Sequence, residues 1–148
     1  MAHELNNPAA AMKRGVEQLR AAFDRHLQAH LALDQSNLSQ PQVELLRLLD
    51  RTAQERASRP DDLDALARSD REYEVETWLE DVAVADGWEL APDLVNLEYG
   101  PEQLEQLAKG FDEGQLTAVL HWLISAYTIY SVQDEIGEGA GRMTEIVR

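Results

Sequence analysis

The chain contains no cysteine in its 148 residues, so neither disulfide nor thiolate chemistry operates in it. No stretch approaches the ~20 consecutive apolar residues of a membrane-spanning helix. No secretory signal pattern is present. Basic residues are scarce: 13 Lys and Arg stand against 28 Asp and Glu, a formal net charge of −15. A surface of that sign repels a phosphate backbone, which argues against nucleic acid as a partner. Alternating strand patterns are scarce as well. What is present is 44% hydrophobic, enough for a core in one domain or in one domain with an insertion. Its apolar residues recur at helical spacing, and the expected fold class is all-α.

Charge divides the chain into three. Residues 1–33 carry three acids and four bases, and residues 113–148 carry five acids and two bases. Residues 34–112 carry twenty acids against seven bases, which is −13 of the total. The change of character at Asp34 and again near Gly114 predicts an acidic helical module, 34–112, inserted between two helices, 1–33 and 113–148, of one hairpin.

The first helix has an apolar seam. Leu5, Ala9, Met12, Val16, Leu19, Phe23, His26, His30 and Leu33 are spaced alternately four and three apart, a heptad pattern held for four heptads. In the second helix Leu116, Leu120, Leu123, Tyr127 and Tyr130 form a similar stripe, widened by Trp122, Ile124 and Ile129. A single pair of such helices has a narrow core, and a dimeric four-helix bundle is the natural way to widen it.

The chain opens on His3-Glu4-Leu5-Asn6-Asn7-Pro8. In one helix His3 and Asn7 are i and i+4 neighbours on one face, and His3 lies one residue off the seam, open to solvent. Pro8 lacks the N–H that would bond the Glu4 carbonyl, so a bend is expected just below the histidine. A neutral imidazole whose Nδ1–H is held by the Glu4 carboxylate presents Nε2 as a nucleophile. A zinc-protease reading needs His-Glu-x-x-His, and it fails because the second ligand position is Asn7.

This segment closely resembles the H-box of two-component sensor histidine kinases. The likeness continues through residues 9–33 and resumes from Asp134-Glu135-Ile136 to Arg142-Met143-Thr144-Glu145-Ile146-Val147-Arg148, which looks like the second helix of that family's dimerisation and phosphotransfer hairpin. The resemblance implies half of a dimeric four-helix bundle. In it His3 takes the γ-phosphoryl of ATP and passes it to an aspartate on the receiver domain of a response regulator. Glu4 is implied as general base, and Asn7 as the residue that positions the γ-phosphate or a hydrolytic water. Also implied are a homodimer, a cytoplasmic location, and ATP with Mg2+ bound by a separate ATP-binding domain. No Asp-x-Gly-x-Gly box or ATP lid occurs in these residues. The family's first helix also usually starts several turns before the histidine, so the chain is expected to be a piece of a longer kinase. Two readings from other classes stand beside this one: a stand-alone phosphotransfer protein and a non-catalytic helical adaptor.

Other motifs carry less. His26 and His30, four apart, read as polar seam residues near the far end of the hairpin, and no metal is predicted. Gly137-Glu138-Gly139-Ala140-Gly141 follows a helical pattern and not a strand, unlike a phosphate-binding loop. It reads as a soft, narrow stretch of helix within two or three turns of His3. In the middle, Ser39 caps a helix carrying Val43, Leu46, Leu49 and Ala53, which Arg59-Pro60-Asp61-Asp62 breaks. A third helix is expected from Asp70, with Val75, Trp78, Leu79 and Val82 as its apolar face, ending at Asp86-Gly87. Shorter pieces follow at 88–97 and 101–108. The carboxylates of Asp61, Asp62, Asp64, Glu72, Glu74 and Glu76 match no calcium loop and read as solvated faces.

Overall fold

The computed structural model describes residues 2–59 and 61–148, and its described residues contain six α-helices and no strand. They are α1 (Ala2–Asp34), α2 (Gln40–Ala57), α3 (Ala65–Asp81), α4 (Gly87–Asn96), α5 (Pro101–Ala108) and α6 (Glu113–Val147). The chain is all-α, as its periodicity requires. Of the expected break at 59–62, Pro60 lies outside the described residues.

The two long helices pack along each other. Gly15 of α1 sits against Val132 and Ile136, His26 meets Ser125, and the Ser36 carbonyl just past α1 meets Gln115. As the first number rises the second falls, so α1 and α6 run in opposite directions. Their approach is close at the small residues: a Cβ added to Gly15 would lie 2.9 Å from Ile136 Cγ1.

The main core lies elsewhere. One apolar cluster joins Leu33 to Leu46, Leu49 and Ala53 of α2, Val75 and Leu79 of α3, and Leu116 to Ile124 of α6, with α4 and α5 closing over it. Leu79, Leu94, Leu104, Leu120 and Leu123 are fully buried there, each worth roughly 1.5–3 kcal/mol relative to exposure. The core thus occupies the α2–α5 layer and the first half of α6. The half of the α1–α6 pair nearer His3 lies outside that cluster, as two helices in contact along a narrow seam.

That seam differs from the one expected. The residues of α1 turned to α6 are Pro8, Gly15, Ala22, Ala29 and Leu33, which are buried, with Leu5, Met12, Leu19 and His26 half-buried beside them. Ala9, Val16, Phe23 and His30 are exposed. Close approach of two helices selects the smallest side chains, and hydrophobicity alone does not rank Gly15 or Ala22 above Val16 or Phe23. The displaced residues form a second apolar stripe with Leu27 and Leu31: Val16, Phe23, Leu27 and Leu31 are each at least half exposed.

Two boundaries also differ. Helix α3 begins five residues before Asp70, because the Asp64 carboxylate caps it by accepting from the Ala67 N–H at 2.8 Å. It ends at Asp81 and not at Asp86-Gly87. Ala83 takes a left-handed conformation (φ 59°), and the N–H groups of Ala83 and Val84 return to the carbonyls of Glu80 and Leu79. This closure is normally made with glycine, so an alanine there gives no warning. Gly87 instead opens α4, where a Cβ would meet that of Leu79 at 3.0 Å. The other starts follow their cues. Ser39 accepts from the Gln42 N–H while the Gln42 side chain accepts from the Ser39 N–H, and α5 opens on Pro101 after Gly100.

Candidate functional site

His3, Glu4 and Asn7 all lie in the first two turns of α1, and all three are exposed. His3 and Asn7 are one turn apart on a continuous helix, which places them on a common face. Pro8 belongs to the same helix and is buried. Its ring cannot return a hydrogen bond to Glu4, so that carbonyl lacks its helical partner. Opposite is Gly139 of α6, where a Cβ would lie 3.1 Å from Met12 Cγ and 3.8 Å from the Pro8 carbonyl oxygen. The glycine stretch is therefore level with Pro8, little more than one turn of α1 from His3. Cβ atoms on Gly137 and Gly141 would meet nothing within 4 Å.

The structure brings His3 and Asn7 to one face but does not join His3 to Glu4. Among the described residues neither side chain has an ion-pair partner within 4.0 Å. Consecutive helical residues point to different sides, so the Glu4 carboxylate must rotate around the helix to reach the ring. A shallow hollow at Met143, Thr144, Val147 and Arg148 of α6 includes none of the three.

The other histidines divide differently from their spacing. His30 is at the surface, with Nε2 3.6 Å from Asp34 Oδ2. His26 is in the seam: its Nδ1 is 2.8 Å from Ser125 Oγ and its ring stacks on Trp122 with centroids 5.5 Å apart. Ser125 spends its single proton on the Trp122 carbonyl at 2.9 Å. With that bond made, the serine oxygen is available to accept from an Nδ1–H of His26. Burial holds the His26 pKa below its ordinary value, partly opposed by the Trp122 backbone and the charge of Asp50. Among the described residues no three His, Asp or Glu side chains gather as metal ligands.

Two polar clasps fix α6 to its neighbours, and neither is visible in the sequence. The buried Gln115 amide donates to the Ser36 carbonyl at 3.1 Å and accepts from Gln42 Nε2 at 2.9 Å and from the Asp112 N–H at 3.0 Å. Farther along, the Tyr130 hydroxyl donates to the Asp50 carboxylate, 2.8 and 2.9 Å from its two oxygens. Burial first, and then that carboxylate, push the Tyr130 pKa up to about 12.

No family model, curated protein or solved structure matches the chain. No helix in the described residues is long and apolar enough to cross a membrane.

Proposed function

We propose that α1 and α6 form the dimerisation and phosphoacceptor region of a sensor histidine kinase, with His3 as the acceptor. The observation that carries this reading is the sequence His3-Glu4-Leu5-Asn6-Asn7-Pro8 on an exposed helical end, with His3 and Asn7 on one face. An acceptor visited in turn by a nucleotide-bearing domain and by a receiver domain has to be uncovered, and His3 is.

In this reading Nε2 of His3 attacks the γ-phosphorus in line. The N–P bond forms as the P–O bond to the departing ADP breaks, and the Nδ1 proton moves toward the Glu4 carboxylate after that side chain swings across. Asn7 positions the γ-phosphate, or a water that hydrolyses the phosphorylated regulator. Phosphoryl transfer depends chiefly on positioning and charge neutralisation. His3, Glu4 and Asn7 lie on an open helix end and not in an enclosed cavity, which suits an acceptor better than a nucleotide or Mg2+ site. Mg2+ would neutralise phosphate charge from the domain that carries the ATP. The exposed stripe of Val16, Phe23, Leu27 and Leu31 is where a second copy would pack, widening the narrow α1–α6 seam into four helices. A homodimer and a receiver-domain aspartate are the partners this reading requires, in a cytoplasmic setting.

The test is incubation of the full reading frame that contains these residues with Mg2+ and γ-labelled ATP. Acid-labile label is expected, lost in His3→Gln with the helical circular dichroism unchanged. Glu4→Gln should slow labelling, and Asn7→Ala should reduce dephosphorylation of the regulator more than labelling. Label that survives His3→Gln removes the assignment. No label from a folded, ATP-binding protein favours the helical adaptor, in which His3 and Glu4 stay as separate as they are in this structure.

A further inference from the structure

A cleft runs between α1, α4 and α6, made of two adjoining hollows of about 430 and 700 Å3 that share Arg25 of α1 and Asp93 of α4. Both side chains line each hollow. The charge of Arg25 acts on Asp93, yet no ion pair forms within 4.0 Å, and among the described residues neither has another ion-pair partner. Glu89, one helical turn before Asp93, lines the same cleft, and Thr117 and His121 line it from α6. The Ser131 hydroxyl, inaccessible and without a hydrogen-bond partner, belongs to a residue at its other end. Burial raises the Asp93 pKa, which is the cost of a carboxylate partly withdrawn from water with no cation in contact.

Arg25 of α1, set against Asp93 and Glu89 of α4 with Glu135 of α6 at the far end of the smaller hollow, complements a small molecule that bears both charges. A simple cation would leave Arg25 opposed, and a simple anion would face Asp93 and Glu89. We propose that this cleft binds a small zwitterion of the α-amino acid class, with Arg25 taking its carboxylate and Asp93, with Glu89, its ammonium group. Because α4 packs on α3 and α6, such a ligand would add a direct tie from the α3–α5 layer to α1. The proposal does not rest on the phosphoacceptor reading, and its test uses no phosphate.

The experiment is titration calorimetry, with thermal melts, of the whole chain against individual α-amino acids at millimolar concentration. The matching amines and carboxylic acids, each lacking one charge, serve as controls. At least one amino acid is expected to bind saturably and raise the melting temperature, with both controls weaker. Arg25→Gln and Asp93→Asn should each weaken binding about tenfold or more, the scale of a lost hydrogen bond to a charged group. The ligand-free Asp93→Asn protein should melt no lower than the parent, because it loses a carboxylate that burial disfavours. Failure of every amino acid to bind the folded protein overturns the proposal. So does an amine or acid that binds as well as the zwitterion, or binding that survives both substitutions. A lower melting point for ligand-free Asp93→Asn, with no effect on binding, would make Asp93 part of the scaffold and overturn it too.

Discussion

At the scale of single residues, a 2.8 Å hydrogen bond between His26 Nδ1 and Ser125 Oγ joins α1 to α6. Burial favours the neutral ring, and its folded pKa lies below the unfolded value of about 6.5. The unfolded chain therefore binds more protons between those two values. This contribution to stability is complete above pH ~6.5 and is lost as pH falls through that point toward the folded pKa. Urea melts at pH 7.5 and 5.5 should show a less stable protein at the lower pH, and His26→Asn should narrow the difference. An unchanged difference would place the sensitivity in other groups. Gln115 yields a second expectation. Truncation to alanine strands the Ser36 carbonyl and the Asp112 N–H, and should lower stability by about 1–3 kcal/mol in denaturant melts. Neither residue's role is legible in the sequence, because the partners of His26 and Gln115 lie 99 and 79 positions away. A lone histidine and a lone glutamine carry no local mark of them. His3, Glu4 and Asn7 are legible because their motif is contiguous.

Among the helices, glycine is the useful probe. Gly137 and Gly141 of α6 face open space, so alanine at each should raise stability by roughly 1 kcal/mol through helix propensity. Gly15 faces Ile136, and leucine there should lower stability by about 1–3 kcal/mol through overpacking. Thermal melts of the three variants distinguish these signs, and a stabilised Gly15→Leu would mean that α1 and α6 do not approach as described. The extents of α1, α5 and α6 could be read from heptads, charge shifts and Pro-Gly punctuation. The end of α3 could not, because Ala83 does the work usually left to glycine. Nor could the rotation of α1. Its sequence carries two apolar stripes, and the choice between them depends on how closely α6 can approach.

For the molecule as a whole, the stripe left on the surface sets the expectation. Phe23→Asp combined with Leu27→Asp changes two residues that are 50% and 57% exposed, so it should preserve the helical fold. It should also convert the proposed dimer to a monomer in light scattering after size exclusion. A parent protein that is already monomeric at micromolar concentration would remove the second copy from the proposal. The two long helices coincide with the least acidic stretches, 1–33 and 113–148. The division by charge did not anticipate that α2 and the acidic α3–α5 layer share one core with α6, because charge reports surface and the shared leucines are buried.

The opposed pairing of α1 with the distant α6 sets the order in which the two can meet. The ribosome releases α1 before its partner, which begins at Glu113, and at ~5–20 residues per second the interval lasts seconds. During that time both apolar stripes of α1 are bare. The later segments can meanwhile settle α3 against α4, whose contacts are local. Helix α6, made after them, must then find α1 across all the residues between the two. A nascent chain stalled before Glu113 would display the side of α1 that the finished protein covers, a surface suited to capture by a chaperone.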